Sequence, residues 1–206
     1  MARVLYYVYD PMCSWCWAFN KTWSAVQAQL PSDIELRYIL GGLAPDTDEP
    51  MPMGLQKTIS AVWRTIQQRV PGTQFNHAFW TECSPRRSTY PASRAIIAAK
   101  KMDSSVEKKM LLAIQHAYYL KAKNPSNADV LIECAEGIGL DTVEFKELLN
   151  KPSTQQQLLA DIRFARKLGV NSFPSLVLET LGGLRVLDYE YTQPAALLSQ
   201  LCTVTE

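Results

Sequence analysis

The chain opens on Arg3-Val4-Leu5-Tyr6-Tyr7-Val8-Tyr9, a run of β-branched and aromatic residues that predicts a buried strand ended by Asp10-Pro11-Met12. From Ser14 to about Gln29 the apolar positions Trp15, Ala18, Phe19, Trp23, Val26 and Leu30 recur near helical spacing, and Pro31-Ser32-Asp33 closes that helix. Ile34 to Leu40 reads as a second strand. The opening is therefore β-α-β, with Cys13-Ser14-Trp15-Cys16 at the first strand-to-helix junction.

Gly41-Gly42 and the stretch Pro45 to Pro52 interrupt this pattern, and strand signals then vanish for about a hundred residues. Helices are expected over Gly54–Val70, Pro91–Met102, Ser104–Lys123, Asp129–Glu136, 142–150 and Ser153–Leu168. Ser104 with Glu107, Asp141 with Glu144, and Ser153 with Gln156 have capping-box spacing, and Gly169 stands where a helix stop is expected. Strand signals return in Ser175 to Glu179 and Leu184 to Leu187, joined by a Gly182-Gly183 turn, and Pro194 to Leu201 closes the chain as a short helix. No internal repeat or low-complexity segment is present.

With 206 residues, 47% of them hydrophobic, the chain can bury a full core without a metal or disulfide to hold it. A net charge of +1 gives no strong field of one sign, which argues against nucleic acid or an anionic membrane as partner. No apolar run is long enough for a membrane span, and Met1-Ala2-Arg3-Val4-Leu5-Tyr6 runs into the first strand without a signal-peptide core, so a cytoplasmic location is expected. Five cysteines, at 13, 16, 83, 134 and 202, make an odd count with one close pair. That layout suits a catalytic or metal-binding pair better than a disulfide scaffold.

Attack on a disulfide needs a thiolate, and a cysteine at a helix N-terminus faces backbone N–H groups and the positive end of the helix dipole, which favour that form. Cys13 is thus the expected nucleophile. Cys16, one helical turn on, is placed to resolve the mixed disulfide. The same C-x2-C could be half of a zinc site, with His77 and Cys83 as the further ligands, or a structural pair. Asp10 either opposes thiolate formation, assists proton transfer to and from Cys16, or merely leads into the helix.

Tyr9-Asp10-Pro11-Met12-Cys13-Ser14-Trp15-Cys16-Trp17 resembles the active-site segment of the DsbA family, in particular its cytoplasmic FrnE-like members. Ala165 to Ser175, with Gly169-Val170 and Phe173-Pro174, resembles that family's approach to its cis proline. Asn127 to Asp141 is similar to a helical-domain segment, and Ser88 to Arg94 less clearly so. The resemblance implies an α/β thioredoxin fold at 1–45 and 153–206, an inserted α-helical domain at 46–152, and a cis Pro174 facing the cysteines. It implies thiol–disulfide exchange by Cys13 and Cys16, with Trp15, Phe173 and Pro174 meeting the substrate. That substrate would be a protein or small-molecule thiol or disulfide, glutathione among them, with no metal or other cofactor. Phe173 departs from the family pattern, where a smaller residue is commoner, and its bulk bears on groove depth.

Two rivals stand beside this reading. Glutathione-dependent isomerases and kappa-type transferases share the architecture and carry serine where Cys13 stands; Ser175 could then touch glutathione. A redox-inert chaperone or interaction module would instead use Trp15, Trp17 and Trp23 as an apolar surface. Elsewhere, Cys83 sits in a polar loop beside Arg86 and Arg87, which would favour a reactive thiol, whereas Cys134 with Leu131 and Ile138 reads as core. His77 and His116 read as structural, Cys202 carries no signal, and Trp63 reads as core with Met51-Pro52-Met53 as a candidate groove wall.

Overall fold

The computed structural model describes residues 3–202. Its strands are β1 (Arg3–Tyr9), β2 (Ile34–Leu40), β3 (Ser175–Thr180) and β4 (Gly183–Leu187). The helices are α1 (Ser14–Gln27), α2 (Met53–Arg69), α3 (Phe79–Glu82), α4 (Tyr90–Met102), α5 (Glu107–Tyr119), α6 (Ala128–Gly137), α7 (Thr142–Asn150), α8 (Pro152–Lys167) and α9 (Pro194–Cys202). The strands form one mixed sheet in the order β2-β1-β3-β4, with β1 parallel to β2 and antiparallel to β3. β3 and β4 make the hairpin expected around Gly182-Gly183. This is a thioredoxin fold with helices α2–α7 inserted between β2 and α8.

β1 is central and covered on both faces, which explains its unbroken apolar run. Tyr6 and Val8 point to the face where Ala165, Leu168 and Val170 of the α8 segment pack. Leu5, Tyr7 and Tyr9 point to the other face and join one larger core with α1 residues Phe19 and Trp23. That core continues into the inserted helices through Trp63, Ile96, Met110 and Leu131. Small residues of α4, Ala92, Ala95, Ala98 and Ala99, are buried and let α5, α7 and α8 approach it closely.

Three local expectations are corrected. Helix α5 is preceded by a 3-10 turn over Ser104–Val106, and the cap is Asp103, whose carboxylate accepts from Ser105 N. Asp103 competes better than Ser104 because its side chain reaches the free N–H groups one residue earlier. Helix α8 starts at Pro152, a residue suited to a first turn that needs no N–H, so Ser153 lies inside the helix and caps nothing. Trp23 is 3% exposed, stacked on Tyr7 at 4.6 Å, and belongs to the core rather than to an open tryptophan surface. Asp141 does cap α7, accepting from Val143 N and Glu144 N, and Gly169 takes φ +78 after α8.

The end of β2 sits hard against the loop that precedes β3. Gly41 N donates to Tyr9 O, and a Cβ on Gly41 would lie 2.0 Å from Cε1 of Phe173. The glycine therefore leaves the space that the Phe173 ring fills. Gly41→Ala is expected to cost about 1–3 kcal/mol in urea unfolding, and Gly41→Ala with Phe173→Leu is expected to recover part of that loss.

Candidate functional site

Cys13 is the N-cap of α1, with extended backbone (φ −80, ψ 115), and no acidic side chain stands in the first turn. The chain arrives there through a tight turn in which Cys13 N donates to Asp10 O. Cys16 follows one helical turn later. The two thiols are separated by burial: Cys13 is 7% exposed and Cys16 only 1%. Both are free cysteines in the structure. Burial pushes the Cys16 thiol well above the usual range, and its neighbour Cys13 pushes the same way.

Opposite the pair stands the loop before β3. The Phe173–Pro174 peptide bond is cis, and Cys13 Sγ donates to Phe173 O at 3.3 Å. Tyr189 donates its hydroxyl to Pro174 O at 2.8 Å, so the two carbonyls flanking the cis bond are both engaged. The Phe173 ring is half-buried over Gly41, turned into the fold, and its bulk fills a space that Gly41 leaves for it. Trp15 packs on Tyr191 with ring centroids 4.9 Å apart. A cleft of about 530 Å3 opens there, walled by Trp15, Phe173, Pro174, Tyr189 and Tyr191 with Arg69 at its edge. The structure brings Cys13, Phe173 and Pro174 together, with Cys16 one turn behind Cys13 and Trp15 on the cleft wall beside Phe173 and Pro174.

Asp10 is fully buried, and its role is more than leading into the helix. Oδ1 accepts from Met12 N at 2.8 Å; Oδ2 accepts from Leu43 N at 2.8 Å and from the Thr89 hydroxyl at 2.7 Å. Burial pushes its carboxyl above the usual carboxylate range, toward the neutral form, while these three donors and Arg87 pull the other way. One carboxylate thus ties the turn before Cys13 to the end of β2 and to the residue that precedes α4. Leu43 carried no sequence signal, and Thr89 none beyond its place in a polar stretch, because the link is made across the fold.

Other candidates fall away from the site. Ser175 donates to Ser172 O and does not wall the cleft. Cys83 ends α3 and donates to Ala122 O at 2.8 Å; burial and Glu82 raise its thiol, so the two arginines do not activate it. Cys134 is core, its thiol raised to about 11 by burial. His77 lies edge-on to Trp63 at 5.8 Å and bonds Gln67, and burial lowers its basicity. Trp63 is fully buried, Met51 is buried and Met53 is 66% exposed, so that segment forms no common wall. Among the described residues no group of three or more His, Cys, Asp or Glu side chains could hold a metal ion.

A cysteine pair in the first turn of α1, its leading member at the N-cap position and facing a cis proline, on a four-stranded sheet with helices inserted after β2, defines a DsbA-like thioredoxin-fold protein. A family model described as Thioredoxin matches residues 6–182, and the chain belongs to that family. The cytosolic disulfide reductase DsbM of Pseudomonas aeruginosa superposes with a TM-score of 0.77 at 26% identity, covering 97% of this chain and 98% of that one. DsbA of the same organism superposes at 0.59 with 15% identity, covering 97% and 80%, a likeness of fold alone. Among curated proteins, the ClpXP adapter protein SpxH of Halalkalibacterium halodurans is 28% identical over 177 residues, 84% of this chain and 57% of its own length. The chain therefore spans little more than half the length of the curated relatives it matches. Among the described residues no helix is long and apolar enough to cross a membrane.

Two measurements probe this geometry. The raised Cys16 thiol stays protonated in the fold where the unfolded chain ionises. Its contribution to stability is thus complete below the ordinary thiol range, about 8.5, and is lost as pH rises through the folded value. Cys16→Ala should therefore show a flatter stability profile than the unaltered protein between about pH 8 and 10.5. Thr89→Val removes one donor from buried Asp10 and leaves Ala44 N, which now donates to Thr89 Oγ1 at 3.1 Å, without that partner. A loss of about 1–3 kcal/mol in denaturant unfolding is expected.

Proposed function

We propose that the protein is a thiol–disulfide oxidoreductase that uses Cys13 and Cys16 as a dithiol, and the observation that carries this reading is Cys13 at the N-cap position of α1 with its thiol on Phe173 O beside the cis proline. In the reducing direction the Cys13 thiolate attacks one sulfur of a substrate disulfide. A Cys13–substrate mixed disulfide forms and the other substrate sulfur leaves as a thiolate, which takes a proton from solvent. Cys16 then gives up its proton and attacks Cys13 Sγ. The Cys13–Cys16 disulfide forms, the second substrate thiolate leaves, and two electrons have passed to the substrate. Oxidation of a substrate dithiol is the same path reversed.

The exposed order of the thiols supports these roles, because an incoming sulfur meets Cys13 first and Cys16 only from within. Glutathione is a fitting thiol partner: a structure of DsbM with GSH shares this fold, with a TM-score of 0.76 at 24% identity over 97% of this chain and 99% of that one. A cytoplasmic setting accords with the cytosolic DsbM likeness. The glutathione-dependent isomerase or transferase reading is less supported, because two thiols occupy one turn of helix. The curated relatives favour a second reading, a ClpXP adapter, which would act by binding rather than by thiol exchange.

Equilibration in glutathione redox buffers, with free thiols alkylated and mapped by peptide mass, tests the proposal. A two-electron Cys13–Cys16 couple is expected within roughly −120 to −270 mV. Cys16→Ser should accumulate the mixed disulfide on Cys13, and Cys13→Ser should abolish exchange. Thiols that never pair would overturn the dithiol mechanism, and binding to ClpXP that survives loss of both cysteines would favour the adapter.

A further inference from the structure

The cleft walled by Phe173, whose carbonyl accepts from Cys13, carries charges that the exchange chemistry does not use. Arg69, the last residue of α2, and Glu190, after β4, both line it, along with Ser172 and Thr192. Among the described residues no hydrogen bond or ion pair engages either charged side chain, and no ion pair joins the two, although they share one cleft. The remaining walls are apolar or aromatic: Trp15, Phe173, Pro174, Tyr189 and Tyr191. The cleft measures about 530 Å3, inside the span of roughly 300–1,000 Å3 typical of small-molecule sites.

We infer that this cleft selects a small zwitterionic thiol or disulfide of the amino-acid type, with Arg69 taking a carboxylate of the ligand and Glu190 taking its ammonium group. The inference rests on the exchange reading above and names the substrate class for the same site. One unpaired cation and one unpaired anion leave the cleft without net charge, so a purely anionic or purely cationic ligand meets repulsion as well as attraction. A ligand bearing both charges satisfies both side chains at once. Trp15 and Pro174 supply the apolar surface against which the aliphatic stem and sulfur of such a ligand pack next to Cys13. A polypeptide disulfide presents backbone amides and no ammonium or carboxylate close to its cysteine, so it would gain little from this pair. Arg69 belongs to the inserted helices and Glu190 to the sheet side, which makes recognition a joint property of the two parts of the chain.

The test compares kcat/KM for oxidised glutathione with that for bis(2-hydroxyethyl) disulfide, which is uncharged and reports exchange at Cys13 alone. The ratio of the two constants is expected to fall about tenfold in Arg69→Gln and a similar amount in Glu190→Gln, through KM rather than kcat. Oxidised glutathione acetylated on its amines should be a poorer substrate than oxidised glutathione for the unaltered protein and equal to it for Glu190→Gln. A ratio that stays level in both variants, or an acetylation penalty that persists in Glu190→Gln, overturns the assignment. A disulfide-linked neutral peptide turned over better than oxidised glutathione by the unaltered protein would overturn it in favour of polypeptide substrates. If the unaltered protein fails to reduce even the hydroxyethyl disulfide, the exchange reading itself falls, and this assignment with it.

Discussion

A buried carboxylate that binds three separate pieces of chain is the constraint on which this structure turns. Asp10 is withdrawn from water at the mouth of β1, and an acid so placed is tolerated only when donors surround it. The donors come from the redox turn itself, from the strand end where the inserted helices depart, and from the lead-in to α4. Sequence-distant segments are held together by the need to satisfy one charge. The position of Cys13, three residues on, follows from that junction rather than from the helix alone.

With the junction in place, the two sulfurs acquire different environments from a single turn of helix. Cys13 is the more exposed of the two and meets the carbonyl of Phe173, a wall of the cleft; Cys16 is sealed beneath it among aromatic rings of the core. Such asymmetry is what a two-step exchange requires, since one sulfur must be reachable and the other must act only after the first has reacted. The aromatic residues serve both ends. Tyr7 and Phe19 fill the core under the pair, while Trp15 and Tyr191 wall the open side.

The strands, the helix order apart from the short α3, and the cysteine junction were legible in the sequence because each is a local signal: an apolar run, a 3.6-residue period, a Gly or Pro stop. The pairing of residues 13 and 174 across the fold came from the resemblance, not from periodicity. What escaped was whatever depends on two distant segments meeting. Thr89 is one hydroxyl among many polar residues until the fold sets it on Asp10, and Arg69 is an ordinary last-turn cation until α2 lays it at the cleft. Cys83 misled for the same reason, since the neighbouring arginines in sequence do not decide its surroundings and burial against Ala122 O does. Caps were legible only in part: Asp141 was plain, but Asp103 and Pro152 displaced the serines beside them.

The contact between Gly41 and the Phe173 ring has a consequence for descent. The two residues occupy one volume, so they can vary in a lineage only as a pair: a side chain gained at 41 has to be matched by one shortened at 173. Position 173 also precedes the cis proline and borders the cleft, so that exchange would reshape the substrate's surroundings while the cysteines stayed the same. Divergence in what these proteins accept can thus begin at a glycine that never touches a substrate.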